Sequence, residues 1–365
     1  FKRYYHYYII RKQLIKISKS SLATLPNADT YDLSKFKDDQ DIEQLIKIWL
    51  QFDIHELDLS LKGNYLEATE AFISSVKSSF PTMTNENIFQ ALRNVWIMIA
   101  IQMMCDQKIE LTDAMFAYSM LYPLTDNVLD DITLSKQDKL NFVDGLGKRL
   151  NGHMEEAFCL QYSQVSEMVA LIEQQFDRVQ YPLVYESLLL IHDCQRKSMK
   201  QQYSHLGITE INRISFEKGA SSVIADGYLV LGDLTPEQFD FLTGYGVVLQ
   251  LADDLQDMTT EQSVSHQTLF STKQTSEMLA HSVAKLCLLS AEVLLKLPTS
   301  KKDMKSNLAR LLEKSMTFLI TDAVQVHRTF FKRNYIKRLS RCHFTGLNNH
   351  SRLKKIGEKM VAHWI

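Results

Sequence analysis

Asp253-Asp254-Leu255-Gln256-Asp257-Met258-Thr259-Thr260-Glu261 ends a stretch that opens at Thr235-Pro236-Glu237-Gln238 and reads throughout as helix. The opening carries a threonine N-cap, proline at N1 and glutamine at N3, a helix start. From it Phe239, Leu242, Gly246, Leu249 and Gln250 follow at three- and four-residue steps and lead into Asp253, Asp257 and Glu261. An apolar stripe thus becomes a carboxylate stripe. Asp126-Asn127-Val128-Leu129-Asp130-Asp131 repeats the four-residue step elsewhere in the chain. Acidic pairs at this spacing are common on solvated helices. Here, however, both clusters follow apolar helical stretches and use close aspartates, not glutamate mixed with lysine. Two such faces opposed across a cavity suit hard divalent cations, Mg²⁺ first among them, shared with a phosphate ligand.

The surrounding chain is helical in pattern. Twelve glycines and six prolines in 365 residues give too little turn punctuation for a sheet-rich protein, so the expected fold class is all-α. The spacing predicts a helix over Thr84–Cys105, whose apolar run Val95–Met104 is about half a membrane span and reads as buried. A second begins near Thr112 and reaches the first Asp cluster, with Pro123 expected to kink or restart it. Others run over Tyr181–Leu206, closed by Gly207, and Ser215–Leu231, closed by Gly232. No repeat or low-complexity linker divides the chain. The expectation is one helical domain over 1–365, with appended N-terminal helices over about 1–60 and a basic tail over about 326–365.

Five scattered cysteines without a CxxC pair fit a reducing compartment, and a cytoplasmic protein without a signal peptide is expected. Of 41 Lys/Arg and 43 Asp/Glu, ten and one lie in 326–365 and six and none in 1–20, leaving 25 against 42 between them. Basic ends on an acidic body suit peripheral contact with anionic lipid or a diphosphate, and equally suit solvated helix faces. No nucleic-acid partner is expected.

The motifs resemble those of class I isoprenoid synthases, the all-α superfamily of prenyl diphosphate synthases and ionisation-type terpene synthases. Asp126-Asn127-Val128-Leu129-Asp130 looks like the family's DDxxD motif, with Asn127 in second place. Gln250-Leu251-Ala252-Asp253-Asp254-Leu255-Gln256-Asp257 is similar to the second prenyltransferase motif, and Asp253, Asp257 and Glu261 also match the terpene-synthase triad. Lys218-Gly219-Ala220 resembles the element whose lysine touches diphosphate. The resemblance covers roughly Thr84–Glu261 and implies a helical bundle around a central cavity. It further implies three Mg²⁺ ions held by Asp126 and Asp130 on one wall and by Asp253, Asp257 and Glu261 on the other. A prenyl diphosphate would be ionised between them, with Asp126, Asp130, Asp253 and Asp257 as the catalytic set. Dimers are usual for the fold, which leaves a homodimer open.

Departures from the family pattern choose between its branches. No GGKRxRP element is present, Thr133-Leu134-Ser135-Lys136 stands where arginines follow the first motif, and Lys148-Arg149 lies well downstream. Without a second diphosphate site, a terpene synthase acting on one substrate is expected ahead of a chain-elongating synthase using isopentenyl diphosphate. A catalytically inactive isoprenoid-binding subunit is the third reading. Arg213 and Lys218 are candidates for the family's basic sensor, and Arg333-Asn334-Tyr335 is a loose match to its Arg-Tyr pair. Candidate aromatic pocket residues are Phe89, Trp96, Phe116, Tyr122, Tyr228 and Tyr245. His192, Arg196 and Met199 share a helix face that reaches either a cavity or ordinary core. Gly219-Ala220-Ser221-Ser222 reads as a helix break beside the diphosphate or as a small-residue helix contact. The absence of an ExxH pair removes a di-iron carboxylate bundle.

Overall fold

A computed structural model describes residues 59–131, 133–203, 205–298 and 302–339. The expected N-terminal helices and the tail beyond residue 339 lie outside them. Every regular element among the described residues is helical, and none of these helices is long and apolar enough to cross a membrane. The described residues gather into two compact units, one of 59–250 with 296–298 and 302–305, the other of 251–295 with 306–339.

In the first unit, α1 (Leu59–Ser79), α2 (Asn85–Met104) and α3 (Asp113–Asp130) are followed by α4 (Lys136–Leu150), α5 (Leu160–Gln175) and α6 (Pro182–Ser198). The short α7 (Lys200–Tyr203) leads to α8 (Ile208–Leu231). Helix α9 (Pro236–Gln256) starts in this unit. Helix α8 packs on α6, α2 and α3, while α3 also packs on α5 and α2, and α4 lies against α5 and α6. The core between them is apolar, with Leu92, Val95, Met98 and Ile99 fully buried.

Threonine caps set the starts of α2, α3 and α9. Thr84 and Thr112 each accept the amide three residues on, from Asn87 and Met115, satisfying donors that the first turn leaves orphaned. At α9 the box is reciprocal, Gln238 N–H donating to Thr235 Oγ1 (3.2 Å) and Thr235 N–H to Gln238 Oε1 (2.8 Å). Pro123 does not restart the helix: α3 continues through it to Asp130. The packing of α3 on α2 and α5 offsets the lost backbone bond.

Other boundaries differ from expectation. The helix predicted to end at Leu206 stops at Ser198, and Gly207 begins α8 as its N-cap with φ −73°. Gly232 does close α8, at φ +75°, donating to Tyr228 O at 2.8 Å. A side chain there would also meet the Tyr181 ring at 2.9 Å. The inward face of α9 carries Phe241, Leu242, Tyr245 and Val248, whereas Phe239 is 41 % exposed.

Helix α8 is unbroken through Gly219-Ala220-Ser221-Ser222, so the small-residue contact is the reading that holds. A Cβ on Gly246 of α9 would lie 2.2 Å from the Gly219 carbonyl oxygen, and one on Gly219 would lie 2.5 Å from Gly246 O. Both obstacles are backbone, which no rotamer change relieves. Gly246→Ala is therefore expected to cost about 3 kcal/mol, the upper end for overpacking, measurable as a lower urea midpoint. A midpoint like that of wild type would mean that the two helices separate freely.

In the second unit, α9 ends at Gln256, and Asp257 (φ −91°, ψ 6°) is the N-cap of a short α10 (Met258–Ser263). The single carboxylate-bearing helix expected here is thus two. The break is anchored from afar, because the buried His327 places Nε2 2.8 Å from Gln256 O and so donates to the last carbonyl of α9. Helix α11 (Ser276–Leu294), α12 (Lys302–Val326), a 3₁₀ turn (Arg328–Phe330) and α13 (Arg333–Leu339) follow. Lys332 and Glu277 form an ion pair within this unit.

Candidate functional site

A cavity of about 160 Å³ opens in the first unit, walled by α3, α4 and α6. That is close to the roughly 150 Å³ of an apolar protein cavity that holds benzene. Leu121, Leu129, Val143, Leu146, Leu188 and Ile191 supply apolar wall. Its polar lining is Tyr118, Tyr122, Thr125 and Asp126 from α3, and His192, Gln195, Arg196 and Ser198 from α6. Met199 lines it too, so the α6 face shared by His192, Arg196 and Met199 meets a cavity.

Asp126 is half-buried and accepts the Gln90 amide at 2.5 Å. Asn127 is exposed and accepts from Asn87 Nδ2 at 3.2 Å. Asp130 is the last residue of α3, and its side chain lies outside the described residues. Asp131 closes an Asx turn, accepting Thr133 N–H (2.8 Å) and Oγ1–H (2.6 Å), bonds that hold its carboxyl below the usual range. Lys139 donates to Leu129 O at 2.6 Å, placing a cation at the carbonyl end of α3 where the dipole favours it.

The two tyrosines form a hydroxyl chain, with Tyr118 and Tyr122 oxygens 3.1 Å apart and Tyr122 Oη 2.8 Å from Ser222 Oγ. Burial raises both phenols far above their ordinary range. Of the six aromatic candidates, Tyr122 is the one among the cavity-lining residues. Phe116 packs against Phe72, Phe89 meets Trp96 edge-on, and Tyr245 stacks on Phe241. Trp96 also donates to Thr69 Oγ1 at 3.2 Å, and Tyr228 is half-buried on α8.

Behind this wall lies Asp226, fully buried. Asn94 Nδ2 donates to its Oδ1 and to Ser119 Oγ, each at 3.2 Å, while Asp226 Oδ2 is buried without a partner. Burial pushes its carboxyl well above the carboxylate range. It was not among the sequence candidates, although a lone acid within Val223-Ile224-Ala225-Asp226-Gly227 was a visible signal.

The basic candidates are dispersed. Arg213 is exposed and engaged with Glu210 (2.6 and 2.9 Å) and Glu217 (3.0 Å). Lys218 is half-buried on α8, and Gln250 abuts Gly219 on the facing side of α9. In the second unit Arg333 is exposed at the first position of α13, and Tyr335 stacks on Phe331. There too Asp253 and Asp257 are exposed and Asp254 is buried. Glu261 is half-buried, accepts from Thr268 Oγ1 and is pushed up to about 8, first by burial and then by the charges of Asp254, Asp257 and Asp253. Four carboxylates therefore share one field.

Protein-family models, curated proteins and solved structures give no match to this chain. Among the described residues no three His, Cys, Asp or Glu side chains converge as a ready metal cage. The donor chemistry nonetheless fits Mg²⁺. The candidate groups are all carboxylates, burial and then the charges of Asp254, Asp257 and Asp253 lift Glu261, and Mg²⁺ takes one or two carboxylates with waters and phosphate oxygens.

Proposed function

We propose that the chain is a Mg²⁺-dependent class I isoprenoid synthase of the terpene-synthase kind, ionising a linear prenyl diphosphate with release of pyrophosphate. The observation that carries this reading is an apolar cavity with Asp126 of the first acidic motif in its wall. The leucine, isoleucine and valine walls would hold the prenyl chain and exclude water. The Tyr118 and Tyr122 rings would face positive charge developing on it. In the first unit Asp126 and Asp130 would hold metal, with Asn127, Lys218 and Gln250 as its candidates for the diphosphate; in the second, Asp253, Asp257 and Glu261 would hold metal and Arg333 is the basic candidate. Bound Mg²⁺ would neutralise the diphosphate and make it a leaving group.

The state of Arg149 favours ionisation of a single substrate over elongation. Of the basic pair downstream of the first motif, Arg149 is 2 % exposed and committed to Glu173, and Lys148 pairs with Glu155 at 2.7 Å. Neither is poised for a second diphosphate.

The test is pyrophosphate release with Mg²⁺ and C10 to C25 prenyl diphosphates, each with and without isopentenyl diphosphate. One substrate alone is expected to suffice, and Asp126→Ala is expected to lower release about a hundredfold. Release only with isopentenyl diphosphate would move the chain to the elongating branch. Binding without release would make it an isoprenoid-binding subunit.

A further inference from the structure

Helix α2 turns a row of carboxamides toward α3. Asn87, Gln90 and Asn94 follow at three- and four-residue steps, so their side chains share one face. Each donates across to α3: Asn87 Nδ2 to Asn127 Oδ1 at 3.2 Å, Gln90 Nε2 to Asp126 Oδ2 at 2.5 Å, and Asn94 Nδ2 to Ser119 Oγ at 3.2 Å. The acceptors descend along α3 as the donors ascend along α2, so the two helices run antiparallel and the row fixes their register. Apolar side chains would serve packing alone. Amides at all three steps also aim donors at α3, two of them at the first acidic motif.

Of the three, the Gln90 amide is the one on a carboxylate of the metal-holding set of the proposed function. Gln90 is half-buried, as is Asp126. An amide donates a hydrogen bond without carrying charge. A lysine or arginine in its place would neutralise Asp126 and compete with a divalent cation for it. Gln90 orients the carboxylate and leaves its charge for the metal.

We propose that Gln90 is the positioning residue of Asp126, setting its carboxylate in one orientation ahead of metal binding. The proposal rests on the isoprenoid-synthase reading, through the metal that Asp126 holds there. Without this bond the carboxylate samples several rotamers, and a metal must order it on binding. With it, that ordering is complete beforehand, the contribution that hydrogen-bond partners of ligating carboxylates make elsewhere.

The test is a metal titration that needs no turnover. Mn²⁺ stands in for Mg²⁺, because its free ion is counted directly by electron paramagnetic resonance. Wild type, Gln90→Met, Asp126→Ala and the double variant are titrated, each first shown to be folded by circular dichroism. Gln90→Met keeps the volume and removes the donor. It is expected to weaken the binding that depends on Asp126 by about ten- to hundredfold. In the Asp126→Ala background it should change nothing further, since a positioning residue acts only through the group it positions. If Gln90→Met does not fold, Gln90→Ala carries the same expectation. Binding like that of wild type in Gln90→Met, with Asp126→Ala weakened, overturns the role of Gln90 and leaves the synthase reading intact. An equal loss in both backgrounds also overturns it and makes the amide a general support of the bundle. Asp126→Ala titrating like wild type overturns the metal-holding role of Asp126 in the synthase reading, and this proposal with it.

Discussion

Asp226→Asn is expected to stabilise the protein, and by more at each step of pH above the ordinary carboxylate range. Asp226 is fully buried, and burial raises its carboxyl well above that range. Between the unfolded and folded values the unfolded chain carries an ionised aspartate and the folded chain a neutral one, so folding takes up a proton. Stability then falls as pH rises, by about 1.4 kcal/mol per unit from this group alone. An amide has the shape of the neutral acid and still accepts from Asn94, so variant and wild type should be alike near pH 4. Above that they should diverge, by at most about 1.4 kcal/mol for each further pH unit. Urea unfolding of both proteins at three pH values decides it. Parallel curves would mean that Asp226 is ionised in the fold.

Glu173→Ala should have a comparable effect in the opposite direction. Arg149 is 2 % exposed and donates to both Glu173 oxygens, at 2.7 and 2.5 Å, and to Ser166 Oγ at 3.0 Å. Arg178 also donates to Glu173, at 2.8 Å, lies 3.8 Å over the Tyr185 ring and reaches the carbonyls of Leu150 and Arg149. One carboxylate thus serves two guanidinium groups that tie α4 to α5 and to the start of α6. Removing it leaves a buried cation without a counter-ion, at a cost of about 3–5 kcal/mol. Arg149→Met with Glu173→Leu removes the buried charges together and should recover most of that loss. If the double variant were as unstable as Glu173→Ala, packing of the long side chains would be the dominant contribution instead. The ion pair with Arg149 holds Glu173 below the usual carboxylate range. Its contribution is present above the unfolded value and lost as pH falls through the folded one, opposite in sign to Asp226.

Much of this architecture could be read from local chemistry. Thr84, Thr112 and Thr235 announce their helices because a cap is a contact within four residues. The apolar run Val95–Met104 is buried as its composition implied, save for the half-buried Trp96, Ile97 and Ala100. Gly207 and Gly232 looked alike in sequence and differ in structure. Whether a glycine takes a positive φ depends on the elements that leave it, which its neighbours in sequence do not specify. The break at Asp257 was invisible for a related reason, since the group that ends α9 is His327, far along the chain.

The cavity was half legible. Asp126 and the α6 face of His192, Arg196 and Met199 were singled out and line it. Five of the six aromatic candidates do not, because helical spacing identifies a buried face without saying whether another helix or a void lies opposite. In the sequence Arg149 stood only as half of a basic pair lying well downstream of the first motif. Its burial depends on Glu173, and a pairing across helices leaves no local pattern.

The bond between Gln256 and His327 also gives the chain a schedule. During synthesis at about 5–20 residues per second, His327 leaves the ribosome roughly 4–14 s after the carbonyl that it secures. For that interval the stretch from Asp253 to Glu261 is a tether of acidic groups with its far anchor still unmade. Until then its carboxylates repel one another without the geometry that the finished unit gives them. Translation products ending ahead of residue 327 would keep that looseness for good.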